Sequence, residues 1–357
     1  MQRTAKSAIV VGAGVIGQTS AFRLARAGFS VTMFDPSPGH GATYAAAGMI
    51  APSAEIAPGE EENYVLQLRA LPSWRSLSVE LSEVTDHQVD IFETGTLVVG
   101  WDGSDRRLMS QYAQIAADFN AEIRSVSRNT SPEMFEGISG RITDGIFIGG
   151  DAWLDPDQAM RIVGSANERL GVRLVHETIQ SIRTTPDGVE AISAEGEYRA
   201  SIGILATGAE HLPHGAEVTS ENVVRPVRGM TVRVRGIDRS AQPTIRAFVH
   251  GHFFYMVSRP GGYCVLGATS DERRDPIIEL GETQRLLRDA LDVVPALDSA
   301  AILDSRVGLR PASKDLRPFF EVLAGGRWAW SSGHYRHGVT LAPLAALDAL
   351  EFAVATT

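Results

Sequence analysis

The chain has 357 residues, 44% hydrophobic and 21% charged, ordinary globular proportions that suggest about two domains. Its net charge of −10 argues against nucleic acid or an anionic membrane as partner, and no apolar run reads as long enough to span a bilayer. One cysteine, Cys264, excludes an internal disulfide and fits a reducing, cytoplasmic compartment. Met1–Ser7 is polar and leads straight into the first apolar run, so no secretory signal is expected.

The chain is organised around Ala8–Asp35, AIVVGAGVIGQTSAFRLARAGFSVTMFD. An apolar run, Ala8–Val11, leads into Gly12, Gly14 and Gly17 in GxGxxG spacing, with Val15 and Ile16 between the last two. An amphipathic segment runs to Ala27, Gly28 stops it, and Val31–Phe34 is a second apolar run ending in Asp35. That order predicts strand, tight turn, helix, strand. Gly12 makes the turn, Gly14 lets the backbone approach a pyrophosphate, and Gly17 lets the helix sit close on the strand. The helix start offers free N–H groups and a positive dipole end to phosphates. Asp35 stands where an acceptor holds ribose hydroxyls, and no arginine follows it to receive a 2′-phosphate. The stretch therefore predicts a dinucleotide site, with NADP disfavoured.

Pro36–Gly41 is a turn-rich loop. Ala42–Pro52, ATYAAAGMIAP, suits a backbone packed on a flat ligand or the start of an alanine-rich helix; its place after Asp35 favours the ligand. Asn63–Leu81 predicts a helix with Leu66, Leu68, Leu71, Trp74, Leu77 and Leu81 on its core face, kinked or divided at Pro72. Val89–Val99 predicts strands about the turn Glu93-Thr94-Gly95, and Asp105–Phe119 a second helix. Another helix, Asp157–Leu170, has Asp155 or Asp157 as N-cap. Val172–Val175, Ile179–Arg183 and Val189–Ser193 are short strands, and Ser201–Leu205 is a strand ending in the small-residue turn Ala206–Ala209. Alternating strands follow over Val223–Val234, Phe253–Val257 and Tyr263–Leu266, with a hairpin signal at Arg259–Gly262. Thr283–Val293 is a helix and Ala301–Arg310 a strand. Trp328–Ala355 is a strand, a loop over Ser331–Gly338, and an alanine- and leucine-rich helix with Pro343 in its first turn. The pattern predicts an α/β fold. A discontinuous dinucleotide domain takes residues 1–85, 150–222 and 306–357, and an interleaved β-rich (α+β) substrate domain takes 86–149 and 223–305.

Two late segments each set an arginine among glycines near a strand end. Ser305–Pro318, SRVGLRPASKDLRP, holds Gly308 and Arg310; Ser331–Pro343, SSGHYRHGVTLAP, holds Gly333, Arg336 and Gly338. A guanidinium presents two parallel donors that match a carboxylate. A surface or ion-paired arginine gives the same pattern, and Asp304 and Asp315 are near enough in sequence to pair. His334 and His337 suit loop packing, because no further ligands with metal spacing surround them, and no metal is expected. Cys264 reads as a core residue.

Through GAGVIG, AAAGMIAP, WLDP, ATGA, the YMVSRPGG hairpin followed by GAT, GLRPASKD and GHYRHGVTLAP, nearly the whole chain resembles the D-amino-acid oxidase family of FAD-dependent amine oxidases. Within it the chain is most similar to the glycine oxidases of thiamine biosynthesis. The resemblance implies a Rossmann-like FAD-binding domain with FAD stretched from the first βα turn to the last loop. It implies that Arg310 binds the substrate carboxylate, that Tyr255 lines the pocket and helps hold it, and that Arg336 lines the pocket near the flavin. Ala46, Ala47, Gly48 and Met49 would contact the flavin, Ile179 would bond the adenine side, and Ala206, Thr207 and Gly208 would border the cofactor. Gly308 would also lie on the cofactor, and Gly333, His334, Arg336, His337, Gly338 and Thr340 would surround the flavin ring. Backbone donors near Val339 and Thr340 would stabilise negative charge on that ring.

Ser258 stands where the glycine oxidases carry proline, Ser270 replaces a methionine, and His337 replaces a common asparagine. These departures bear on substrate size. Cys264 is not placed like the flavin-linking cysteine of sarcosine oxidases, so non-covalent FAD is expected. The implied reaction is oxidative deamination of a small amino acid (glycine, sarcosine, a D-amino acid or an N-alkyl glycine) with oxygen as acceptor. A dehydrogenase passing electrons to a quinone or partner subunit, and a non-catalytic FAD-binding subunit, are the alternatives. A homo-oligomer is also implied.

Overall fold

Alternation along the strand Ser7–Val11 sets up the first layer. Ala8 and Val10 pack with Ala21, Leu24, Ala349 and Phe352 of two helices, while Ile9 and Val11 pack with Ile182, Val189 and Ala191 on the opposite face. The computed structural model describes residues 6–56, 60–218 and 222–357; the polar lead-in Met1–Ala5 lies outside them. Ser7–Val11 is central in a six-stranded sheet of order Phe319–Val322, Trp328–Ser332, Ile202–Leu205, Ser7–Val11, Ser30–Phe34, Arg173–Val175. All neighbours are parallel except the edge strand Phe319–Val322. Both faces of this sheet are covered, as parallel sheets require. The helices Val15–Arg26 and Gly338–Thr356 lie on one face, and a three-stranded meander, Ser181–Thr185, Gly188–Ile192 and Glu197–Ala200, lies on the other. The strand Glu197–Ala200 has no counterpart in the sequence reading, because EYRA carries no apolar alternation strong enough to announce it.

The second layer is an eight-stranded sheet of order Ala301–Ala312, Arg225–Arg235, Tyr263–Gly267, His252–Arg259, Thr244–Val249, Thr96–Gly100, Asp144–Ile148, Arg124–Ser127. It is antiparallel apart from the pairing of Thr244–Val249 with Thr96–Gly100. Met230, Val232, Phe254, Met256, Cys264 and Leu266 pack under Leu286, Ala290 and Val293 of the helix Leu280–Val293. Each such fully buried large side chain contributes about 1.5–3 kcal/mol. The expected boundary at 305/306 falls inside the uninterrupted strand Ala301–Ala312, since Ser305 pairs with Val232 and Arg306 with Thr231.

An ionic clamp joins the second sheet to the helix Pro156–Arg169. Asp155 is the N-cap, accepting the Asp157 N–H at 3.0 Å, and Asp155 also receives Arg259 at 2.8 Å. Asp157 receives Arg233 at 2.8 Å and Arg306 at 3.0 Å. Burial raises the Asp157 pKa, but the bonds from Arg233 and Arg306 outweigh it and bring it down to about 2.

Three sequence expectations need correction here. The helix over Asn63–Leu81 is two helices, Glu61–Leu68 and Ala70–Thr85, and they meet at Arg69, not Pro72. Pro72 is the third residue of the second helix, where its missing N–H has no intrahelical partner to lose; Leu68 is exposed. The last helix begins at Gly338, so Pro343 lies inside it and not in its first turn. The carbonyl that Pro343 leaves unbonded, Val339 O, receives the buried Trp74 indole N–H at 2.8 Å. Finally, the segment Tyr335–Thr356 is long and apolar enough, by length and composition, to cross a membrane, and 61% of its apolar window is buried inside the fold. Its apolarity serves packing: Ala342, Ala346, Ala349 and Ala353 are fully buried, and Ala342 O receives the Thr19 hydroxyl at 3.2 Å.

Trp74→Phe removes that indole donor and leaves Val339 O buried without a partner. We expect a loss of about 1–3 kcal/mol in urea unfolding of the holoprotein. Parental stability would show that the carbonyl is satisfied some other way.

Candidate active site

The first βα turn is set by close contacts that only glycine permits. Gly12 has φ +103°, and a Cβ there would lie 2.3 Å from Ala206 O. A Cβ at Gly17 would lie 1.8 Å from Gly12 O, so the helix Val15–Arg26 rests directly on the turn. At Gly14 a Cβ would meet only the Thr43 hydroxyl, at 3.4 Å, which leaves space beside the helix start. Gly14 is the N-cap and has no side chain to cap the helix; the first turn holds no acid, and Val15 N–H donates to Thr43 Oγ1 at 3.1 Å. With no acid in the first turn, its positive dipole end can meet an anion. At the end of the next strand, Asp35 is fixed by the N–H groups of Ala13 and Ser37, each at 2.7 Å.

These groups open onto one cavity of about 980 Å³. Its wall holds Gly12, Gly14, Val15, Ile16, Asp35, Thr43, Ala46, Ala47, Gly48, Met49, Ile179, Ala206, Thr207, Gly208 and Gly308. The same wall carries Glu55, Gly229, Arg246, Phe253, Tyr255, Thr269, Ser270, Arg310, His334, Arg336 and Gly338. The segment Ala42–Pro52 forms a short 3-10 turn, Ala42–Ala45, and then runs along the wall.

Three of the wall residues are arginines, and they differ in what neutralises them. Arg310, in the strand Ala301–Ala312, donates from Nη1 to Thr269 O at 3.2 Å and Arg228 O at 3.4 Å. Its guanidinium lies over Gly229, where a Cβ would sit 2.2 Å from Nη2. Among the described residues no acid pairs with Arg310; Asp304 pairs with Arg233 and Arg306, and Asp315 with Arg317. Arg336 meets Glu60 at 3.3 Å and Glu55 at 3.6 Å, and Arg246 meets Glu55 at 3.3 Å. Burial raises the Glu55 carboxyl, yet His337 (3.1 Å away), Arg336 and Arg246 together hold it well below the usual carboxylate range.

Tyr255 lies over Gly267, where a Cβ would come within 2.3 Å of its hydroxyl. Burial pushes its pKa up to about 12, so it stays a neutral O–H donor. Burial, with the charge of His337, takes His334 down to about 4, so its imidazole is neutral near pH 7. Beside the Ser53–Glu55 segment lies Asp151, 1% exposed. Burial raises it to about 7, Glu55 adds to the rise, and the facing Thr96 hydroxyl and Ser53 N–H offset only part of it.

Comparison with known proteins places this geometry. The family described as FAD dependent oxidoreductase (DAO) matches residues 7–350. The chain belongs to this family. It is 28% identical to a glycine oxidase of Bacillus licheniformis over 342 residues, 94% of this chain and 89% of that one. A glycine oxidase of Geobacillus kaustophilus is 27% identical over 344 residues, 95% and 90% of the two chains. The crystal structure of glycine oxidase from Geobacillus kaustophilus superposes with a TM-score of 0.85 at 25% identity, covering 96% of this chain and 94% of that one.

The cofactor of this oxidoreductase is FAD, and its wall fits that group. The acid-free helix start at Gly14 suits the pyrophosphate and Asp35 suits the ribose. Thr207 Oγ1 is buried in the wall without a partner among the described residues, a polar group that a bound cofactor would satisfy. Ala46, Ala47 and Gly48 offer a flat surface of small residues. Four expected cofactor residues do not reach the wall. Gly17 and Gly333 serve close backbone packing, since a Cβ at Gly333 would lie 2.6 Å from Arg317 O. His337 stands behind Glu55, and Thr340 donates to Met49 O at 3.0 Å.

Sequence reasoning placed Thr43 only within the ligand-facing segment Ala42–Pro52 and missed Glu55, Arg246 and Phe253. The available signals were faint: Glu55 is the first acid after the AAAGMIAP run, and Arg246 interrupts the apolar strand TIRAFV.

In this flavoenzyme Gly229→Ala would push a methyl group into the Arg310 guanidinium. The holoenzyme should keep its flavin and lose small-carboxylate binding by about tenfold or more, read from perturbation of the flavin absorbance. Unaltered binding would show that Arg310 is not the receptor.

Proposed function

We propose that this flavoenzyme is an amino-acid oxidase. It would oxidise a small amino acid such as glycine, sarcosine, a D-amino acid or an N-alkyl glycine. The products are an imine, which hydrolyses to the oxoacid, and hydrogen peroxide. The observation that carries the reading is Arg310, a guanidinium in the cavity wall held, among the described residues, only by backbone carbonyls. The names of the glycine oxidase relatives agree with it.

Non-covalent FAD, held by the Gly12–Gly14 turn, Asp35 and the Ala46–Gly48 surface, would supply the acceptor for the hydride and the route by which two electrons reach oxygen. The protein does the positioning. The planar fork of Arg310 takes both carboxylate oxygens, which fixes the α-carbon in orientation as well as place. The neutral Tyr255 hydroxyl donates a further hydrogen bond to that carboxylate. Glu55, whose carboxyl His337, Arg336 and Arg246 hold well below the usual range, is too weak a base to take a proton from an ammonium group; His334, with its pKa near 4, is no better. The wall therefore takes the amine in its neutral form, with its nitrogen lone pair free to assist hydride loss. The sole cysteine, Cys264, is buried under the helix Leu280–Val293 and has no part in holding the cofactor.

Arg310→Ala should lower kcat/KM for glycine and sarcosine by the equivalent of about 2–5 kcal/mol, with flavin still bound. Peroxide formation in air and anaerobic bleaching across a panel of small amino acids and N-alkyl glycines measure it. Near-parental kcat/KM would remove the role of Arg310. Bleaching without peroxide in air would point to a dehydrogenase.

A further inference from the structure

Arg246 and Glu55 form a pair inside the cavity that the oxidation itself does not need. Both line the wall, with side chains only 13% and 12% exposed. Arg246 pairs in the sheet with Tyr255, on the strand next to it, and its guanidinium lies 4.8 Å from the Phe253 ring centroid. Glu55 is its acidic partner among the described residues, whereas Arg336 also has Glu60. If Glu55 were neutral, Arg246 would become a second uncompensated guanidinium in the same cavity as Arg310. Such a wall would welcome a ligand with two carboxylates.

We propose that Glu55 is a specificity-determining residue: by neutralising Arg246 it leaves Arg310 as the single carboxylate receptor, so the pocket takes monocarboxylate amino acids and rejects those with a second acidic group. This assignment rests on the amino-acid oxidase reading above. The physics is a competition. A second carboxylate entering the cavity must displace Glu55 from Arg246 or lie beside it, and like charges in a site shielded from water repel strongly. The segment around Glu55 is anchored to resist that displacement. Tyr112 donates to Ser53 O at 2.6 Å, Glu55 N–H donates to Ala51 O at 3.1 Å, and Arg336 Nη2 donates to Glu55 O at 3.1 Å. The carboxylate is thereby held between His337, Arg336 and Arg246.

The test compares acetate and malonate binding to the holoenzyme, read by perturbation of the flavin absorbance, in the parent, Glu55→Gln and Glu55→Asp. In Glu55→Gln the ratio of malonate to acetate affinity should rise by about tenfold or more. In Glu55→Asp, which keeps the charge, the ratio should stay at the parental value; this arm also stands if the glutamine variant does not fold. A ratio that is unchanged in Glu55→Gln, or that rises equally in Glu55→Asp, would overturn the assignment. If the parent binds neither ligand and no amino acid bleaches its flavin, the amino-acid oxidase reading fails first and takes this assignment with it.

Discussion

Of the three arginines in the cavity wall, two are paired with acids, and Arg310 alone has no acidic partner among the described residues. Carbonyl dipoles from Thr269 and Arg228 hold the Arg310 guanidinium but do not neutralise it. The acids nearest in the fold are committed elsewhere. Asp271, Asp275 and Glu279 all converge on Arg228, whose side chain is 3% exposed. Glu55 and Glu60 are committed to Arg246 and Arg336. A partly buried cation in this condition gains more from a small anion than it would at an exposed site, because less water screens the interaction.

The remainder of the fold serves to bring that charge beside a cofactor. The chain enters the first sheet at Ser7–Val11, returns on one side as Ser30–Phe34 and later on the other as Ile202–Leu205. The carboxyl ends of strands that diverge in this way leave a crevice, which is where ligands bind in open α/β sheets. The contact of Gly12 with Ala206 O closes its floor. The second sheet is tied to the same region by Asp155 and Asp157, each held by arginines from its strands, and by Gly308, which packs on Ala42 and Ala45. Arg310 lies two residues beyond Gly308 on the same strand, so the small-residue wall at Gly308 and the unpaired guanidinium share one element.

What the sequence disclosed follows the range of the interactions involved. The GxGxxG turn, its helix and Asp35 lie within a single local unit whose steric logic is written in consecutive residues, and the cavity forms there. Arg310 and Arg336 stood out because each sits among glycines, and both reach the wall. Their difference in charge state was not legible. It depends on Glu55, which lies 281 positions from Arg336 and 191 from Arg246, and no local pattern encodes such pairings. Pro343 is similar: local rules put it in a first turn, whereas a tryptophan 265 positions from Val339 supplies the missing donor inside the helix. The apolar C-terminal helix has the composition of a membrane span, and only its buried contacts account for that composition.

The most direct test is a crystal structure of the holoenzyme with a small monocarboxylate such as glycolate. The account predicts its carboxylate within about 3 Å of the Arg310 guanidinium, with Arg246 and Arg336 still held by Glu55 and Glu60. A carboxylate seated on Arg336 or Arg246, or an Arg310 side chain turned out to solvent, would contradict it.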